Sequence, residues 1–171
     1  LPALRRAPGT MRRAVIILLA VAAAVAALGV GSCGDDGDKY EVRAIFDNAS
    51  FLVNGEDVRI AGAKVGSVAS VDITTTDEPA RENGQPAPGK AAVTMQITDP
   101  AFQDFRVDAS CLIRPQSLIG EKFVDCTPTE PRAPGTPAPP ELAEIPDGEP
   151  GAGQFLLPLE RNGKAVDLDL V

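Results

Sequence analysis

The stretch CLIRPQSLIGEKFVDC, residues 111–126, decides the fold. Ala109 to Arg114 and Lys122 to Thr127 are strand-like runs joined through residues 115–121, and the stretch reads as a β-hairpin closed by its two cysteines. If Cys111 and Cys126 face each other across an antiparallel pair, Ile113 lies opposite Val124, Arg114 opposite Phe123 and Pro115 opposite Lys122. The tip then falls between Leu118 and Ile119. Opposed Cα atoms in such a ladder are about 4.5 to 5.5 Å apart, inside the roughly 4.4 to 6.8 Å that a disulfide accepts. Hairpin tips are usually Gly, Asn, Asp or Pro, because the backbone there turns in water. Leaving two large aliphatic side chains in solvent forgoes about 1.5 to 3 kcal/mol each. Leu118 and Ile119 are therefore expected to be covered by their own barrel, a partner subunit or an apolar ligand.

Upstream of this hairpin the chain continues in short strands. Tyr40, Val42, Ala44 and Phe46 alternate with Glu41, Arg43 and Asp47, with Ile45 the one exception, as in a half-buried strand. Asn54-Gly55 signals a turn, and Val58, Ile60, Val65, Val68, Val71 and Ile73 then fall in β-branched stretches punctuated by Gly62 and Gly66. Two strands joined at Gly62 fit this pattern, and both glycines suit a tight turn or a close approach of backbones. Residues 74–90 hold Asp77-Glu78-Pro79 and several Gly and Pro, and read as a long exposed loop with nothing to bury. Alternation resumes from Ala91 to Ile97. No segment before residue 130 has helical periodicity, so the class is all-β, a small antiparallel barrel or sandwich.

The two ends differ from this core. Residues 14–30 form an apolar run of 17 residues without a charge, after Arg5, Arg6, Arg12 and Arg13 and before Asp35, Asp36 and Asp38. It is slightly short of the roughly 20 residues that span a bilayer, and the charge asymmetry places the N-terminus in the cytoplasm and everything after residue 33 outside it. Met11 offers a better start than Leu1, so residues 1–10 read as an upstream extension. The run ends in Val30-Gly31-Ser32-Cys33, which resembles the lipobox of bacterial lipoproteins, with cleavage before Cys33 and a lipid on its thiol. The alternative is an uncleaved transmembrane helix with an incidental cysteine. With Cys33 assigned to lipid, two cysteines remain in an oxidising compartment, and a Cys111–Cys126 disulfide is expected. Residues 34–39 are a polar tether, 40–127 the β-domain core and 128–153 a Pro-rich stretch that runs extended along the surface. Residues 154–171 close the region, and the apolar ending Leu170-Val171 suggests a natural product that continues into a helix.

Composition limits function. A net charge of −8 opposes binding to phosphate backbones, so nucleic acid is not an expected partner. The absence of histidine from the sequence removes the commonest metal ligand and triad base, and no Walker or dinucleotide motif occurs, so no metal or cofactor is expected. Asp47 and Asp57 could be imagined as a glycosidase pair, but nothing in the sequence fixes their separation. Glu121 and Lys122 read as a solvated hairpin flank rather than an acid/base pair.

Three ordered blocks closely resemble the MCE or MlaD domain: Phe46-Asp47-Asn48-Ala49-Ser50 with Leu52 and Gly55, Val58 through Val68, and Ser117-Leu118-Ile119-Gly120-Glu121-Lys122-Phe123-Val124. The resemblance covers about residues 39–127, with a looser continuation at Ile145-Pro146-Asp147-Gly148 and Val166-Asp167-Leu168-Asp169-Leu170; the 74–90 loop is longer than in the simplest members. It implies a seven-stranded barrel behind one N-terminal signal or anchor helix, assembled with other MCE subunits into six-membered homo- or hetero-oligomeric rings. It also implies a central apolar pore for phospholipids or other hydrophobic molecules, served by a separate ABC-type permease and ATPase. Leu118 and Ile119 match the apolar pair that lines the pore, Gly55, Gly62, Gly66 and Gly120 match turn positions, and no catalytic residue is implied. The expected location is the bacterial cell envelope, with the barrel on the exported side of the membrane. A monomeric exported solute-binding lipoprotein and a surface adhesion factor that engages host cells remain as rival readings.

Overall fold

Alternating apolar residues draw Tyr40–Phe46 into the first strand of an all-β sheet. The computed structural model describes residues 39–78, 80–82, 85–117 and 120–165. Its strands are β1 (Tyr40–Phe46), β2 (Asp57–Ile60), β3 (Ala63–Ile73), β4 (Arg81–Glu82), β5 (Gln85–Pro86), β6 (Ala91–Ile97), β7 (Ser110–Pro115), β8 (Lys122–Thr127) and β9 (Phe155–Leu157). Seven of them form one sheet in the order β7-β8-β2-β3-β6-β1-β9, curled into a half-barrel, while β4 and β5 pair separately. The expected anchor helix, the Cys33 lipid site and the ending at 166–171 lie outside the described residues. Among those described, no helix is long and apolar enough to cross a membrane.

The sheet is mixed, which corrects the expectation of purely antiparallel pairing. β2 runs parallel to β8, and β1 parallel to β9, because the long connections that return the chain to these neighbours leave room for a crossover that a tight hairpin could not make. The turn after β2 is the one its sequence suggested. Ala61 and Gly62 both have positive φ, 51° and 84°, as a two-residue hairpin turn of this hand requires. At Gly66 the reason for glycine is different, since a Cβ there would run into the Gln96 carbonyl of the neighbouring strand.

The concave face carries the main core. Val42, Ala44 and Phe46 of β1 meet Val58, Val68, Val93, Met95, Ile113 and Val124, all buried, and the Cys111–Cys126 disulfide joins this cluster. The convex face of β1 is also covered, contrary to the expectation that residues 74–90 have nothing to bury. Ile45 packs against Ala80, Ala92 and Leu159, and Arg43, 6 % exposed, forms a two-pronged ion pair with Glu78, 5 % exposed. The Nε–Oε1 and Nη2–Oε2 distances are 2.7 and 3.1 Å. Thr74 fastens the rest of the flap, donating its hydroxyl to the Ala87 carbonyl at 2.6 Å and accepting from the Lys90 amide at 2.9 Å. The loop therefore folds back as an outer layer because two charges satisfy each other where neither could be buried alone.

The Pro-rich stretch is largely exposed, as expected, yet it is tied down. Val107 donates to the Pro140 carbonyl, Leu142 to the Phe105 carbonyl, and the Arg106 guanidinium to the Pro139 carbonyl. These bonds seat Leu142, 5 % exposed, in the main core, while Ile145, 2 % exposed, pairs its backbone with Gly153 and Gln154. Past β9 the chain crosses toward the opposite edge of the half-barrel. The Asn162 amide donates to the Ile45 carbonyl of β1 at 2.8 Å and accepts from the Cys111 amide of β7 at 3.0 Å. Gly163 adds a backbone bond to the Cys111 carbonyl at 2.9 Å, and Arg161 donates to the carbonyls of Asp108 and Ala109. One side-chain amide thus bridges β1, next to one edge of the sheet, to the β7 edge, which satisfies a strand that would otherwise expose its donors.

Candidate functional site

The β7–β8 hairpin is built from the disulfide outward. Cys111 and Cys126 are bonded with their Cα atoms 4.2 Å apart, and the ladder pairs Ile113 with Val124, Arg114 with Phe123 and Pro115 with Lys122. This is the register that opposed cysteines require. It runs on past the strand ends, where the Gln116 amide donates to the Glu121 carbonyl at 2.7 Å and the Gly120 amide to the Ser117 carbonyl at 3.4 Å. Gly120 has φ +102°, a conformation that favours glycine. Positions 118 and 119, the expected tip, lie between these closing bonds in the sequence and outside the described residues.

Strand parity sorts the stem into two faces. Cys111, Ile113, Val124 and Cys126 point into the core, and Lys122 shares their parity. It is accordingly buried, 5 % exposed, and is not the solvated flank that its charge suggested, whereas Glu121 is exposed as expected. The opposite face carries Arg114, Gln116, Phe123 and Asp125. Arg114 and Asp125 make an ion pair at 3.0 Å across the two arms. Arg59, from β2, stands with its guanidinium carbon 4.7 Å above the Phe123 ring and donates to the Gln116 side chain at 2.8 Å.

The two aspartates weighed as an acid/base pair are each committed elsewhere. Asp47 accepts from Lys90 at 2.7 Å, a hydrogen bond that lowers its pKa. Asp57 is lowered by hydrogen bonds from Lys64 and then Arg59, at 2.8 and 2.7 Å. Neither is raised toward neutrality, the direction in which a general acid is tuned. Gly55 and Gly62 hold positive φ, 90° and 84°, and serve turns. Among the described residues, no group of three or more cysteine and carboxylate side chains could hold a metal ion.

A feature without a sequence signal lies in the turn after β1. Ser50 and Phe51 both have positive φ, 43° and 63°, with the Asn48 side chain accepting from the Ser50 amide and hydroxyl. That turn leaves the Phe51 ring 89 % exposed. Nothing in the spacing of residues 46–52 distinguishes Phe51 from an ordinary strand or loop aromatic, because its exposure follows from a left-handed backbone that aromatics rarely adopt.

Comparison with known proteins bears on the whole of this region. The family model described as MlaD protein matches residues 38–129, more than half of the chain and all of β1 to β8. No curated protein sequence matches the chain. Among solved structures, the chain is similar to one from the "Acinetobacter MlaFEDB complex in ATP-bound Vtrans1 conformation", with 17 % identity, 94 % of this chain and 95 % of that chain covered, and a TM-score of 0.46.

Proposed function

We propose a lipid-transport function from one premise: this chain belongs to the MlaD protein family. In this reading it is a membrane-tethered subunit that assembles with further MCE subunits into a ring, and the β7–β8 hairpins of neighbouring copies line a shared apolar opening. The observation that carries the reading is the hairpin register, which closes from Gln116–Glu121 to Ser117–Gly120; the sequence puts Leu118 and Ile119 between these pairs. A turn of two large aliphatic residues suits an oily passage and is poorly suited to water.

The physical need for such a passage is large. Two acyl tails carry about 30 methylenes, each costing roughly 0.8 kcal/mol in water, so an unassisted aqueous crossing is prohibitive. An apolar channel removes most of that cost without making or breaking a bond, and the chain acts as a conduit, without catalysis. Energy would come from a separate ATPase and permease in the same membrane. Tethering through Cys33 or through the 14–30 segment would keep the barrel on the exported side of the envelope.

The test uses the full-length protein extracted in detergent. Mass measurement is expected to give an oligomer, and lipid analysis to find phospholipid bound to it. Leu118→Asp and Ile119→Asp are each expected to abolish lipid transfer between donor and acceptor membranes while the subunit stays folded, because an unpaired charge then faces an apolar opening. A lipid-free monomer would overturn this reading. Subunits that unfold on either substitution would make the tip part of their own core.

A further inference from the structure

We infer that Arg59 is a positioning residue for the hairpin tip, a role that rests on the proposed function for its purpose but not for its geometry. The β7–β8 hairpin overhangs its sheet. β2 pairs with β8 from Val58↔Val124 to Ile60↔Cys126, and among the described residues the backbone ladder beyond Val124 runs only between the two arms of the hairpin itself. An isolated two-stranded ribbon is marginally stable and free to twist. Backbone pairing to the sheet therefore ends at the foot of this hairpin, and side chains set the direction of its outer arms.

Arg59 ties these arms to β2 on their outer face. From β2 it reaches across β8 and touches both arms at once. The guanidinium carbon stands 4.7 Å over the Phe123 ring on the returning arm, and Nη2 donates to Gln116 Oε1 at 2.8 Å on the outgoing arm, two residues before the tip. Its plane is set from below by Asp57, which accepts from Nε at 3.2 Å and Nη2 at 2.7 Å. Lys64 shares the same carboxylate at 2.8 Å and holds it in place. Stacking and forked donation together need a planar cation, which an ammonium cannot replace. The Arg114–Asp125 pair on the same face joins β7 to β8 only and leaves the hairpin as a whole unsteered.

Hydrogen–deuterium exchange on the full-length protein in detergent, together with a photoreactive residue at position 118 in membranes of defined phospholipid, tests this. Arg59→Ala is expected to speed exchange across residues 115–123 about fivefold, to leave β1, β3 and β6 unchanged, and to cut lipid capture at position 118 by a similar factor. Arg59→Lys should recover little of either, and Arg114→Ala should change neither. Should Arg59→Ala fail to fold, Phe123→Leu and Gln116→Ala remove the far ends of the same contacts and must loosen the same residues. Wild-type exchange over 115–123 in these variants would overturn the inference. If position 118 captures no lipid in the wild type, the pore reading fails, while the exchange data still decide the role of Arg59.

Discussion

The inside of the half-barrel and the layer over its outer face are held by different chemistry. Inside, Phe46, Ile113, Val58 and Val124 meet on one face of a continuous sheet, each fully buried, and the disulfide joins the same cluster. Outside, a small cluster of Ile45, Ala80, Ala92 and Leu159 is accompanied by one buried ion pair and the hydrogen bonds of Thr74. The inner region depends on apolar area, which many side chains share. The outer region depends on a few polar contacts, each of which must be complete. Failure inside should therefore be global, and failure outside local.

The largest effect tests the first half of that contrast. Phe46→Ala leaves a cavity among fully buried neighbours, and is expected to cost about 3 to 5 kcal/mol, read as a lower midpoint in urea. Exchange should then rise in every strand together. A variant in which only the outer flap loosens would erase the distinction between the two regions.

Glu78→Ala tests the second half. It strips a buried guanidinium of its two-pronged acceptor, leaving Asp72 at 3.8 Å as a weaker substitute, and is expected to cost about 2 to 3 kcal/mol. The loss should be confined to residues 74–90, where exchange at the Ala87 and Lys90 amides rises while the β7–β8 ladder stays protected. Combining Arg43→Met with Glu78→Leu should cost less than Glu78→Ala alone, since no charge then remains unpaired. A double variant as unstable as the single one would mean that the pair is not what holds the flap.

The same contrast explains what could be read in advance. The hairpin register, the turn at Gly62 and the close approach at Gly66 were legible because each follows from local chemistry: parity along a strand, a cysteine pair, a residue without a Cβ. Burial of Lys122 was equally available, since it shares parity with Val124 and Cys126, but its charge outweighed the pattern. The outer layer was not legible. Arg43 and Glu78 are 35 residues apart, and each alone is an ordinary solvated residue; only the fold shows that they meet. Ile45, which broke the alternation of β1, was the one local sign that the second face was covered. Asn162 carried no sign, because a polar residue after a turn reveals nothing of the strand it will reach.

Asn162 joins the two regions and should give an intermediate effect. Its amide bridges the Ile45 carbonyl and the Cys111 amide, so Asn162→Ala is expected to cost about 1 to 2 kcal/mol. Exchange at Cys111 should rise before that of any other core amide. Asn162→Asp should not rescue it, because a carboxylate can accept from Cys111 but cannot donate to Ile45. Full rescue by aspartate would show that only the β7 contact matters.

The smallest effect is a matter of pH. Lys90 bridges Asp47, just after β1, and Glu82 on β4, at 2.7 and 3.2 Å. Its hydrogen bond lowers the Asp47 pKa. A carboxyl lowered by folding stabilises the native state above the ordinary carboxylate range, and this contribution fades as the pH falls below that range through the lowered value. Asp47 and Lys90 are partly exposed, so solvent and salt screen the pair. The expected signature is therefore a difference rather than a melting transition. At neutral pH, Asp47→Asn should exchange slightly faster than wild type at the Ala87 and Gly89 amides, and the two proteins should converge as the pH falls through the lowered Asp47 value. Raising the salt at neutral pH should shrink the gap as well. A gap that persists in acid would mean that Asp47 holds the flap by shape and not by charge, and the outer layer would then resemble the inner core more closely than its buried ion pair suggests.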